Sequence, residues 1–233
     1  MLQLNLVTEY LYHILTIARK DLRGEFRSKE VLNAATAFTL VVLLVFSFSF
    51  DPIVNPDVRN LAGGLLWVVY LFASVLILTR SFAREITNGC LDALIASPVP
   101  ASAIFCGKLL SNALLLLLIE LVSLPVFSVF YDISWLGKFD SLLPVLLLGT
   151  WSITAVGTIF SAITAGNRLR ELMLPLLVFP MTLPVLMACV KVTTLIFTGE
   201  PLGESIVWLK LLIAFAVIFT LLGAVLLEAV LLA

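Results

Sequence analysis

Histidine is almost missing from this chain. His13 is the only one among 233 residues, which excludes an intrachain bis-histidine haem pair and a His-rich metal site. No second histidine is left for a Ser/His/Asp set. Cysteine is scarce too: Cys90, Cys106 and Cys189 form no CxxC pair and no even framework, so they read as small apolar residues rather than disulfide or metal partners. Charge is the third shortage. Only 12% of residues are charged, against about 25% in soluble domains, and a net charge of −1 gives no pull toward nucleic acid. Gly107-Lys108 has the look of a P-loop ending, but Leu109 stands where Ser or Thr is required. No glycine lies five residues earlier either, and no strand precedes. The chain therefore carries no ATPase site of its own and no catalytic set, and energy for work has to come from a partner or an ion gradient. Charges at Glu9, Arg19, Lys20, Arg23 and Arg27 stand where a cleavable leader would be apolar.

Apolar residues are abundant instead, with a mean hydropathy of +1.15. Continuous runs near 20 residues recur, and ~20 helical residues cross ~30 Å of hydrocarbon. The pattern predicts an all-α membrane protein of one transmembrane domain with six spans, at about 31–50, 61–79, 105–130, 141–164, 172–196 and 206–231. Residues 9–29 are too polar to span. Leu11, Leu15, Ala18, Leu22 and Phe26 recur there at helical spacing, opposite Arg19, Lys20, Arg23 and Arg27, which predicts an amphipathic helix in the membrane interface, against the lipid bilayer.

Basic residues orient the bundle. With the N-terminus inside, Arg19, Lys20, Arg23, Arg27, Lys29, Arg80, Arg84, Lys108, Arg168 and Arg170 fall on the cytosolic side. Arg59, Lys138 and Lys191 fall outside, and Lys210 lies just within the outer end of the last span. Both termini are then cytosolic, and Trp135 and Trp208 sit near the outer interface.

Between the second and third spans the chain breaks its apolar habit with "EITNGCLDALIASPVP". Placed on one helix from Arg84 to Ser97, Ile86, Cys90, Ala93 and Leu94 make one apolar face. Leu91 and Ile95 make a second, flanked by Arg84 and Asn88. A helix resting on a membrane needs one apolar face; a second suits a partner's groove. Pro98 and Pro100 then stop the helix. A plain interfacial helix gives the same periodicity, so both readings stand on the pattern alone.

Two further features lie inside the spans. Glu120 falls near the middle of the third, where a carboxylate costs about 2.5–3.5 kcal/mol on insertion scales. Asn112, Glu120 and Ser123 share a sector of about 80° on that helix. This polar stripe is either part of a substrate or proton path, a contact to a partner subunit, or a protonated carboxyl hydrogen-bonded between helices. Pro175, Pro180 and Pro184 predict that the fifth span is kinked or broken.

The run 63–110 resembles the CcmB family, the haem exporter protein B family, in a Trp-bearing span, an acidic residue, a Gly-x-Leu-acid-x-Leu pattern, Ser-Pro and a lysine. These are Trp67, Glu85, Gly89, Leu91, Asp92, Leu94, Ser97, Pro98 and Lys108. A second block, "AGNRLRELMLPLLVFPMTLPVLM", is similar to the family's Gly-x-Arg and paired-proline pattern, here Gly166, Arg168, Pro180 and Pro184. The resemblance implies a fold like the type-2 ABC permeases, with residues 84–98 as the helix that couples to a separate, CcmA-like ATPase. It also implies a CcmC-like haem-handling membrane protein and a second permease subunit as partners, and a role in cytochrome c maturation in an inner membrane. ATP would sit on the partner. A generic type-2 permease for lipid, polysaccharide or drug, and a membrane scaffold without an ATPase, are the competing readings. No cofactor is expected on this chain. The outer loops 51–60, 131–140 and 197–205 hold no His, Cys or Met, and Tyr131 is their one conventional candidate for a haem ligand.

Overall fold

The computed structural model of the protein describes residues 2–50, 59–87, 89–90, 96–133, 136–200, 203 and 205–232. Helices account for nearly all of them, and the described residues include no strand. A long first helix, α1 (Leu2–Ser28), precedes α2 (Glu30–Phe50), α3 (Arg59–Ser81) and the short α4 (Ala83–Thr87). Then come α5 (Ala101–Tyr131), a 3-10 turn at Leu136–Lys138, α6 (Phe139–Thr164), α7 (Arg170–Thr198) and α8 (Ser205–Leu232).

Six helices are long and apolar enough to cross a membrane: Glu30–Phe50, Asn60–Ile86 (α3 with its continuation α4), Ala101–Tyr131, Phe139–Thr164, Arg170–Thr198 and Ser205–Val230. The protein is a multi-pass membrane protein. Its outer surface agrees: Phe48, Val129, Leu176 and Val225 stand exposed on helix faces, which suits lipid rather than water.

The break between α1 and α2 is built by one carboxylate. Lys29 takes the left-handed conformation at φ 56°, costing about 1–2 kcal/mol for a residue with a Cβ. Glu25 Oε1 reaches across to accept from the backbone N–H of both Val31 and Leu32 at 3.0 Å. Two orphan donors of α2 are thereby satisfied, with negative charge at its positive end. At the other side Asp132 (φ 49°) and Gly199 (φ 78°) close α5 and α7 in the same left-handed region.

The fifth span is one continuous helix rather than a broken one: α7 runs from Arg170 to Thr198 through Pro175, Pro180 and Pro184. A transmembrane helix tolerates the missing donors because packed neighbours hold its backbone. Along α1, Leu11, Leu15 and Phe26 of the apolar stripe stand exposed, while Ala18 and Glu25 are buried and Ile17, Asp21 and Leu22 half-buried, because α1 packs along α5. A Cβ at Gly107 of α5 would sit 2.8 Å from Ile17 Cβ, so the glycine lets the two helices approach closely.

The main core lies among α3, α5, α6 and α7. Trp67 and Tyr70 of α3 are fully buried, and Trp67 Nε1 donates to Thr193 Oγ1 of α7 at 2.9 Å. Phe127 stacks on Tyr131 with ring centroids 4.4 Å apart.

Candidate functional site

Two polar clusters interrupt the apolar bundle. The first lies where α1, α4 and α5 meet. Lys108, one of the opening residues of α5, is fully buried. Its ammonium donates to Glu85 Oε1 at 2.9 Å, to Asp21 Oδ2 at 3.2 Å and to the Ser81 carbonyl at 2.7 Å. It also stands 4.6 Å from the centroid of the Phe82 ring. All three donors of the ammonium are used, which is what a buried charge requires. Lys20 adds a second cation, 2.9 Å from Glu85 Oε1 and 3.1 Å from Asp21 Oδ1. Burial opposes the charge on Lys20, but Asp21 and Glu85 outweigh it and raise its pKa above the ordinary lysine value.

Arg84 extends the cluster. Its guanidinium pairs with Glu25 Oε2 and donates to Ser28 Oγ at 3.2 Å, while the other oxygen of Glu25 caps α2. Arg80 and Glu30 pair at 3.0 Å on the exposed side. Charged side chains thus tie α1, α2, α3, α4 and α5 together at one end of the bundle. A cavity of about 30 Å³ beside them is lined by Asp21, Glu25, Ser81, Arg84 and Asn112 among others. That is room for about one water.

The segment after α4 departs from the single helix expected over 84–98. Helix ends at Thr87, and Gly89 takes φ 63°, a left-handed value that interrupts an α-helix and that glycine adopts without a Cβ penalty. Arg84 and Glu85 turn inward to the ion cluster. Gly89 and Cys90 are exposed, as are Ala96 and Pro98, with Ser97 half-buried. Asn88, Leu91, Asp92, Leu94 and Ile95 lie outside the described residues, as do Ala93 and Trp135.

The second cluster lies deeper, on α5. Glu120 is fully buried. Thr150 of α6 donates to its Oε1 at 2.6 Å, while its Oε2 has no hydrogen-bond partner. Ser123 donates to the Glu120 carbonyl at 3.0 Å, and the Tyr70 hydroxyl of α3 lies 3.0 Å from Ser123 Oγ. Asn112 shares their face of α5 but not their cluster: its Nδ2 donates to Ser81 Oγ and Thr158 Oγ1, each at 3.0 Å. The predicted stripe is therefore two hydrogen-bonded groups, one near the ion cluster and one at mid-bundle. Tyr131 is buried, and its hydroxyl donates to the Leu43 carbonyl at 3.4 Å. Among the described residues no group of three or more His, Cys, Asp or Glu is placed to hold a metal ion.

Sequence reasoning missed Asp21 and Glu25. A signal was there: both fall on the side of α1 that carries Ala18 and Leu22, about one and two turns after Ala18. A carboxylate on the apolar side of a helix asks for a buried cation.

The model of the CcmB protein family matches residues 12–231, which spans both clusters and all six long helices. The chain belongs to the CcmB family. Its relatives include heme exporter protein B of Paracoccus denitrificans, 33% identical over 72% of this chain and 76% of that protein. Heme exporter protein B of Rhodobacter capsulatus is 31% identical over the same shares. That of Pseudomonas aeruginosa is 29% identical over 83% of this chain and 86% of its own length. For a CcmB-family chain, the buried Lys108–Glu85 pair is a joint between the polar segment after the second span and the start of the third.

Proposed function

We propose that this chain is the permease subunit of an ABC-type complex serving haem export in cytochrome c maturation, with a CcmA-like ATPase as its motor. The chain supplies no nucleotide site. A separate ATPase binds ATP and docks on the polar segment between the second and third spans, at Gly89, Leu91, Asp92, Leu94, Ile95, Ser97 and Pro98. A CcmC-like membrane protein handles haem, and a second permease subunit completes the translocating unit, as in type-2 ABC permeases. The complex sits in an inner membrane with both termini of this chain in the cytosol, where most of its basic residues gather.

The observation that carries this reading is the Lys108–Glu85 pair, 2.9 Å long with Lys108 fully buried. A push on the segment after α4 reaches α5 through it. Removing one partner of such a pair leaves an uncompensated buried charge, costing about 3–5 kcal/mol, so the segment and α5 move together. The ATPase therefore acts on α5 without touching it, and Arg84 and Glu85 transmit rather than dock.

Deletion of the gene and complementation with this chain tests the reading. Covalently haem-stained c-type cytochromes should disappear and return, and the tagged chain should bring down an ATP-binding subunit in mild detergent. Normal cytochrome c levels in the deletion strain would favour a generic permease. Purification without any ATPase would favour a scaffold.

A further inference from the structure

A carboxylate in the middle of a membrane-spanning helix needs a cation, several donors or a proton. Glu120 is given neither of the first two. It is fully buried, its Oε1 takes one hydroxyl donor from Thr150, and its Oε2 has none. Among the described residues no cation pairs with its carboxylate. From α3 the titratable neighbour is Tyr70, whose hydroxyl lies 3.5 Å from the Glu120 carbonyl oxygen; on α7 Cys189 is buried and the cation Lys191 is exposed. α6 brings only the neutral Thr150. The ionisable residue of α2 is Glu30, exposed at its first position, and those of α8, Lys210 and Glu228, are exposed as well. On α5 itself the nearest cation is Lys108, three turns away and already committed to Glu85, Asp21 and Ser81. Asp21 and Glu25 of α1 are likewise engaged with cations.

We infer that Glu120 is a membrane-embedded proton-binding site: its carboxyl carries a proton in this packed conformation and passes it to water when the contact between α3, α5 and α6 opens. The unpartnered Oε2 is the oxygen that holds the proton. On opening, the O–H bond breaks, the electron pair stays on the carboxylate and a water molecule takes the proton, so no other reactant is needed. By linkage, a proton that binds the closed bundle stabilises it over the open one. Proton occupancy does not depend on what the complex transports. Only its release during a work cycle rests on the transporter reading.

Infrared spectroscopy of the full chain in lipid nanodiscs reads the proton directly, through the carbonyl stretch of a protonated carboxylic acid. A band that shifts in D2O should be present at neutral pH and lost in Glu120→Gln. Labelling with carbon-13 glutamate should shift it, and Thr150→Val, which removes the one hydrogen bond to the carboxyl, should move it to higher frequency. These two checks stand even if Glu120→Gln folds poorly. Absence of the band at neutral pH, or a band that ignores Thr150→Val, would overturn the site. For opening, Cys189 is a native reporter, fully buried beside Gly149. With Cys90 and Cys106 replaced by Ser, alkylation of Cys189 should rise as the band bleaches with increasing pH, well beyond any rise in the Glu120→Gln background. Bleaching with no such excess would overturn release by opening while leaving the proton site and the permease reading intact.

Discussion

Lys108 Nζ of α5 and Glu85 Oε1 of α4 are 2.9 Å apart, with 0% and 7% of their side chains exposed. The two residues are 23 positions apart in the chain, and Gly89, Leu91, Asp92 and Leu94 lie between them in sequence. This contact joins α4 to α5, and Lys108 joins both to α1 through Asp21.

Lys108→Met removes the buried cation and leaves Asp21 and Glu85 to share Lys20 alone. The cost should be about 3–5 kcal/mol, read as a lower unfolding temperature in detergent. Adding Glu85→Gln should recover part of it, because the second change leaves Lys20 one carboxylate to compensate instead of two. A single variant as stable as the parent would show that the pair is not closed in the membrane.

Gly107→Val tests the seat of α1. A side chain there meets Ile17 of α1, and overpacking of this kind typically costs about 1–3 kcal/mol. Limited proteolysis should cut α1 faster in the variant while the remaining spans stay protected. Equal protection would mean that α1 does not pack on α5 as described.

Topology is read by a cysteine placed at Asp57 or Asp140 in a cysteine-free background. Each should react with an impermeant maleimide added outside whole cells, and one at Asp92 should not. The opposite labelling would invert the orientation and remove the docking segment from the cytosol.

Haem should not bind the isolated chain as an axially ligated group. His13 lies on α1 with its ring 6.1 Å from that of Tyr12, and the Tyr131 hydroxyl is occupied by the Leu43 carbonyl. The purified chain should show no Soret band, and His13→Ala should leave maturation intact. A stoichiometric haem spectrum lost on changing His13 or Tyr131 would contradict this.

The bundle was legible in the sequence because lipid imposes long apolar runs. The six spans, the N-terminal helix and its basic side needed no tertiary information. The ion cluster was hidden for the opposite reason: Lys20, Asp21, Glu25, Arg84, Glu85 and Lys108 come from separate segments, and only packing brings them together. Lys108 read as one of the cytosolic-side basic residues and proved to be the most buried charge at that end. Glu120 was visible as a costly residue, but whether Asn112 joined it was decided by Ser81 and Thr158, which periodicity on one helix cannot foresee. Helix phase likewise placed Arg84 beside a docking face and the family resemblance put Glu85 in the coupling helix, whereas their carboxylate and cation partners on α1 and α5 draw them inward.

The central claim is that an ATPase docks on the segment after α4 and drives α5 through the Lys108–Glu85 pair. Co-purification combined with ATP hydrolysis in nanodiscs tests it most directly, comparing the parent with Leu91→Asp, Ile95→Asp and Lys108→Met. The account predicts that the two aspartate variants insert normally but lose the ATPase, since burying an unpaired charge in its groove costs several kcal/mol. Lys108→Met should retain the ATPase and hydrolyse ATP without supporting cytochrome c maturation. Full ATPase stoichiometry in both aspartate variants, together with normal maturation in Lys108→Met, would contradict the account.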